Sequence, residues 1–375
     1  MQVELTEEQS LLKASISQFL AQHYGFAERL AASRGEPGFR VDIWTKMARE
    51  LGLFGATIAQ SAGGLGGGAV EQMIIMEELG RALVLEPVAE TLFHGGWLLQ
   101  QTGNTSLLNG IIEGQVRLAV AIGEPGMRHD YADVASAAVR TDGAWRLTGR
   151  KMVVMAAPWA THLIIAARTH GRAGDAEGLS LFLIPADASG LTRHPYPTID
   201  GRRAADLTLD GVEATLIGPE GDALLLLEAM RDRAIAAQAA EATGLLDRLV
   251  KDTVAYTSQR TQFGQALSGF QALQHRMVDM HGHVEMTRSA ALLVASKLDS
   301  APEDRARAAS AAKVTLAAAC RFVGQNAVQL HGGMGMTDEL HIGHYFKRAI
   351  VLESEFGSSD WHLARHAALS VKRAA

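Results

Sequence analysis

The sequence contains a single cysteine, Cys320, in 375 residues, which excludes a disulfide framework and any site built from several thiolates. Its expected role is that of a small buried apolar residue. Basic stripes and interleaved aromatic and basic residues are also missing, and a formal charge of -6 is spread over mixed signs, so nucleic acid is not an expected partner. No apolar run reaches the roughly 18 residues that a membrane span requires. The opening stretch "MQVELTEEQS" places Glu4, Glu7 and Glu8 where a secretory leader would carry a basic region and an apolar core. A cytoplasmic protein without a membrane partner is expected. Around His275, His281 and His283 there is no H-E-x-x-H pattern or carboxylate pair, so no metal site is expected either.

What is present is apolar surface, at 47% hydrophobic residues, enough for a large core and two or three domains. Three blocks follow one another. Over 1–115 the apolar residues recur at three and four, as in "LLKASISQFL" and "EQMIIMEELGRAL", interrupted by "AGGLGGG", which predicts a helical domain. Over 116–221 the texture changes to short strand-like runs between turn signals, among them "WRLTGRKMVVM", "HLIIAAR" and "LSLFLIP", which predict a compact antiparallel β-domain. Over 222–375 helices return at 223–259, 268–298 and 303–330, with few breakers. A helix of that first length runs roughly 55 Å, so these must pack as a bundle within the chain or against a neighbour. The fold class expected is mainly α with a β-domain in the middle.

Two stretches concentrate residues suited to an anionic ligand. In "QLHGGMGMTDE", Gly332, Gly333 and Gly335 stop a long alanine-rich helix, either as a cap with a tight turn or to let a ligand approach bare backbone. In "YTSQRTQFGQALSGFQALQHRMVDM", Arg260 stands at a helix C-terminus before a turn expected to begin at Gly264. Its guanidinium can satisfy the last carbonyls or fork a pyrophosphate, with Phe263 offering an apolar face to an adenine or ribose.

These two stretches, about 70 residues apart, resemble the two sequence signatures of the acyl-CoA dehydrogenase family. "LTEEQ", "ELGLFGA", "GGLGGG" and "EELGRAL" resemble its N-terminal helical domain, and "GEPG" with "LTGRKM" its middle domain. The resemblance implies an N-terminal helical domain, a middle antiparallel β-barrel and a C-terminal four-helix bundle. It also implies FAD as cofactor, an acyl-CoA thioester as substrate and an electron-transfer flavoprotein as a possible acceptor. By the same resemblance, Arg260, Phe263, Gln271, Gln329, Gly332 and Gly333 hold the ADP half of a neighbouring subunit's FAD. Glycine amides and an arginine fork can both direct donors at phosphate oxygens.

The pattern departs from the family at the flavin ring and at the base. Gly123 stands at the usual Thr before "EPG", and Val153 and Met155 stand at the usual Trp and Thr, so hydroxyl donors are missing and backbone amides would have to serve. The family's chemistry removes an α-proton with a carboxylate, usually in "YEGT"; here the matching stretch is "ESEFGSSD", with Phe356 in the Glu position, 23 residues after Gly333. Glu355, one residue away, would point elsewhere. In relatives such as isovaleryl-CoA dehydrogenase the base precedes an Arg in an earlier helix, which here selects Asp232 before Arg233. Asp232 reads either as that base or as a charge favoured in the first turn of its helix. Glu241, deeper in the same helix, is expected in a structural ion pair.

Two functions follow. One is a flavoenzyme that oxidises an acyl-CoA to the 2-enoyl-CoA as a homo-oligomer. The other is a weak or inactive subunit of a heteromer, like the small subunits of paired dehydrogenases, that lends its ADP-binding surface to a partner. Alanine-rich helices such as "ARAASAAKVTLAAACRFVGQNAVQL" present more small apolar surface than one chain can cover, so a dimer or tetramer is expected.

Overall fold

A computed structural model describes residues 5–374, and the backbone divides into two compact units. One comprises Leu30–Gly68 and Leu85–Ala234; the other gathers the segments up to Arg29, Ala69–Val84 and Ile235 onward.

The first unit is built on a barrel. Strands His162–Arg168, Ala137–Thr141, Ala144–Met155, Arg203–Ile217 and Leu179–Pro185 pair in that order, and the last returns to the first. Closure leaves no free edge among these five. Strand Leu191–Pro197 joins the outside of Arg203–Ile217. The β-domain is antiparallel as expected apart from two parallel strand pairings: Leu118–Ala121 runs parallel to His162–Arg168, and Ala137 bridges Arg168 in parallel. The continuous apolar run "HLIIAAR" fits this position, because a strand covered on both faces has no reason to alternate. Six of its seven residues are buried.

The second unit is a helix bundle. Leu224–Gln259, which belongs to this unit from Ile235 on, Gln271–Ala295 and Pro302–His331 match the three long helices read from the sequence, and a fourth member is broken into His341–Ser354 and Ser359–Ala374. Pro302–His331 packs against its neighbours through buried Ala309, Ala312, Leu316, Ala319, Cys320 and Val323. Cys320 is inert there, its thiol pushed up to about 12 by burial. Helix Ala69–Arg81 meets the long helix at glycines: a Cβ at Gly80 would lie 2.2 Å from the Glu241 carbonyl oxygen, and one at Gly244 would strike Glu77 backbone. Only bare backbone permits that approach.

The first long helix ends earlier than Gly264. Thr261–Gln262 pairs with Gln265–Ala266, with Phe263 (φ 54°) and Gly264 (φ 81°) at the tip, a two-residue turn whose twist matches the hairpin.

Candidate functional site

The two glycine and arginine stretches converge in the helical unit. A cleft of about 900 Å³ is lined by Tyr256, Arg260, Gln262, Leu267, Leu273 and Arg276 from one side of the sequence and by Gln329, Leu330, His331, Gly332, Gly333 and Met334 from the other. Four of the six residues expected at a diphosphate therefore share one surface: Arg260, Gln329, Gly332 and Gly333. Phe263 and Gln271 do not line it. Phe263 is 91% exposed at the hairpin tip, and Gln271 begins the next helix, about 140° around the axis from Arg276 at 100° per residue. Leu273 and Arg276, three residues apart, share the face that the cleft uses.

The three glycines have different reasons. Gly332 closes the helix at φ 59° and ψ -142°, a conformation that side chains avoid, and its amide returns to the Gln329 carbonyl. Gly335 is required by packing, since a Cβ there would lie 2.7 Å from the Val328 carbonyl oxygen. Gly333 has neither reason: its φ lies outside the left-handed region and an added Cβ would meet no atom within 4 Å. The chain itself does not demand a glycine at 333, and the glycine leaves that backbone open to a ligand.

His331 stacks on Tyr256 with ring centroids 4.4 Å apart and its Nδ1 donates to the Ala327 carbonyl at 2.8 Å. Burial lowers its pKa, so the imidazole is neutral at pH 7 and the cleft's charge comes from its arginines. The cleft has no carboxylate in its lining. Two cations, amides and a bare glycine suit a diphosphate and would repel a cationic ligand.

In the barrel unit, Glu124 of "GEPG" and Lys151 of "LTGRKM" form a buried pair at 2.5 Å. Glu124 also accepts from the Ala135 and Ser136 amides at 2.7 and 3.0 Å, so the pair ties the 123–136 loop to a strand. Burial works against the Glu124 charge, but Lys151 and these donors outweigh it and hold the carboxyl below its ordinary value. Beyond Lys151 the ladder slips: Met152 and Val153 face only Asp206, a bulge that leaves Val153 57% exposed at φ 52°. One backbone amide that could have served a flavin ring is engaged within the chain. The Val153 amide is already donated to Asp206 Oδ1 at 2.9 Å, which also accepts from the Tyr196 hydroxyl at 2.9 Å.

Asp232 lies in the barrel unit at 1% exposure. It is the ninth residue of Leu224–Gln259, in the third turn and not the first, so the helix dipole does not account for it. Beside it, Arg231 donates to the His129 carbonyl at 3.0 Å and lies over Tyr131, and Arg233 lies over Trp97.

In the segment after His341–Ser354, the carboxylate nearest the usual base position is held. Glu355 accepts from Gln238 at 2.8 Å and lies 3.7 Å from Arg348, and Phe356 (φ 62°) packs on the bundle core. Glu241 is in the ion pair expected of it, bidentate with Arg348 at 2.7 and 2.9 Å. Lys313, fully buried, donates to the Leu352 and Glu355 carbonyls and to Gln238, which fixes the end of that helix.

The sequence reading passed over Arg276, Tyr256 and Gln262 as lining residues. Arg276 and Tyr256 lie inside the quoted "YTSQRTQFG" stretch and its continuation, and helical spacing from Leu273 is the signal that places Arg276 in the cleft.

Comparison with known proteins assigns every block. The acyl-CoA dehydrogenase N-terminal, middle and C-terminal domains match residues 6–106, 119–212 and 230–369. The chain is 28% identical to acyl-CoA dehydrogenase IpdE2 of Mycolicibacterium smegmatis over 92% of this chain and 93% of that one. It is also 28% identical to the mitochondrial isovaleryl-CoA dehydrogenase of Arabidopsis thaliana, over 93% and 87%. Among solved structures, a variant of the Tcur3481-Tcur3483 steroid ACAD matches with TM-score 0.88 and 30% identity over 98% of this chain and 99% of that one.

Proposed function

Because the chain belongs to the acyl-CoA dehydrogenase family of FAD-dependent oxidoreductases, we propose that it removes one hydrogen each from C2 and C3 of an acyl-CoA, giving the 2-enoyl-CoA. The observation that carries this reading is the cleft in which Arg260, Gln329 and the Gly332–Gly333 backbone meet without a carboxylate. These residues would hold the diphosphate of an FAD whose ring lies in a neighbouring subunit. Exposed Phe263, at the tip of a hairpin, fits a contact with that neighbour, as does a stripe of exposed apolar residues on Gln271–Ala295 at Val278, Met286 and Leu293. FAD, when bound, supplies the two-electron oxidant that accepts the C3 hydrogen as hydride.

The chain's own task is then the C2 proton. We assign it to Asp232, whose carboxylate oxygen would take that proton as the C2–C3 double bond forms. Its burial supports a role that needs a water-poor site. Expected for Asp232→Asn is a loss of about 10² to 10⁴ in the rate of anaerobic flavin bleaching by a matched acyl-CoA, with FAD still bound. Equal bleaching in both proteins would remove Asp232 from this role.

A second reading has its own support. Phe356 packs into the bundle at the position of the usual base, Glu355 is held by Gln238 and Arg348, and the Val153 amide is already used. A chain with those features would serve as the ADP-binding subunit of a two-chain dehydrogenase, an arrangement in keeping with the paired name of the steroid ACAD. Bleaching absent with every thioester, yet present with a co-expressed partner, would select this reading.

A further inference from the structure

Outside the cleft, six arginines of the helical unit are paired with carboxylates: Arg81, Arg248, Arg288, Arg307, Arg321 and Arg348. Arg260 and Arg276 meet none among the described residues, and both face the same cleft. Arg260 follows the last turn of one helix and Arg276 stands in the second turn of the next, with the Thr261–Ala266 hairpin between them. Two guanidinium groups facing one space repel one another unless an anion lies between them. Neutral His331 adds no charge, so the cleft offers two positive charges, equal to the two negative charges of a dinucleotide diphosphate.

We propose that Arg276 is a second arginine ligand of the diphosphate, sharing it with Arg260. The inference rests on the FAD reading of the cleft and adds a residue to it. Its physical content is that each arginine neutralises one phosphate, Arg260 from the helix end and Arg276 from the facing helix, while the Gly332–Gly333 backbone supplies amide donors. Arg276 is exposed and carries no bond within the chain among the described residues, so its replacement leaves the fold intact.

The test is FAD binding to the deflavinated protein in its native assembly, followed by recovery of the flavin spectrum, with inorganic pyrophosphate as competitor. Arg276→Ala and Arg276→Gln should each raise the Kd for FAD about tenfold or more, and should weaken pyrophosphate competition by a similar factor. Raising the salt concentration should weaken FAD binding less steeply in both variants than in the parent protein. Arg276→Lys, which keeps the charge, should recover most of the salt dependence. If Arg260→Ala loses FAD while Arg276→Ala binds it as tightly as the parent protein, the role of Arg276 is overturned and the cleft stands. If Arg260→Ala also binds FAD unchanged, the diphosphate reading of the cleft itself fails.

Discussion

Gly333 and Gly335 are two residues apart and should respond to alanine in opposite ways. At Gly333 the φ is one that alanine adopts and the nearest atom to an added Cβ is beyond 4 Å. Gly333→Ala should therefore leave stability within about 0.5 kcal/mol, or raise it by up to about 1 kcal/mol through the less flexible unfolded chain. The same methyl stands in the cleft, on backbone that the proposed diphosphate would touch. Steric exclusion of that kind costs about 1–3 kcal/mol, equivalent to about five- to 150-fold in the Kd for FAD. At Gly335 the Cβ would lie 2.7 Å from the Val328 carbonyl oxygen and 3.1 Å from its Cα, both backbone atoms that cannot turn aside. Gly335→Ala should cost about 1–3 kcal/mol of stability. Urea midpoints and flavin retention through dialysis, measured on both variants, separate the two effects. If Gly333→Ala kept its flavin as the parent protein does, the double glycine would be a helix cap and no more.

Two further predictions concern the buried polar network of the bundle. Arg348→Met leaves Glu241 buried without its bidentate partner and should cost about 3–5 kcal/mol by urea unfolding, whereas Arg348→Met with Glu241→Met should recover most of it; equal losses in the two would refute the pairing. Lys313 falls from 10.5 to about 8 on burial, so below pH 8 it is charged in both states and the full penalty applies. Between pH 8 and 10.5 the folded protein has released that proton while the unfolded chain retains it, and stability rises with pH. The rise is worth about 3 kcal/mol at about 1.4 kcal/mol per pKa unit. Lys151 falls to about 8 for the same reason, so Lys313→Met should remove about half of the combined rise; an unchanged pH profile would contradict the assignment.

The parts that were legible in the sequence depend on short-range signals. Periodicity at three and four placed the long helices to within a few residues, and a carboxylate at Glu241 within an apolar helix announced that it needed a partner. The partner itself, Arg348, lies 107 residues away, and nothing local points to it. The hairpin at 261–266 was hidden because its first turn position holds Phe263 in a left-handed conformation normally given to Asn or Gly. The helix start at Leu224 lies within one residue of the 223 read from the sequence, and counting from it puts Asp232 in the third turn, beyond the reach of the first-turn dipole. The parallel pairing of Leu118–Ala121 depends on long-range register, which alternation does not encode. At the cleft, Arg260, Gln329, Gly332 and Gly333 share one surface because a helix end and a turn bring them together, whereas Phe263 sits exposed on the hairpin tip and Gln271 lies outside the lining.

The central claim is that this chain handles FAD through the cleft formed by Arg260, Gln329, Gly332 and Gly333. It is tested most directly by the ratio of flavin to chain in the purified assembly, read from visible flavin absorbance against protein mass, for the parent protein and for Arg260→Ala. The account predicts one flavin per chain in a homo-oligomer of the parent protein, or one per two chains with a co-expressed partner, and a marked loss in the variant. A parent protein free of flavin both alone and with its partner, or an Arg260→Ala variant with an undiminished ratio, would contradict it.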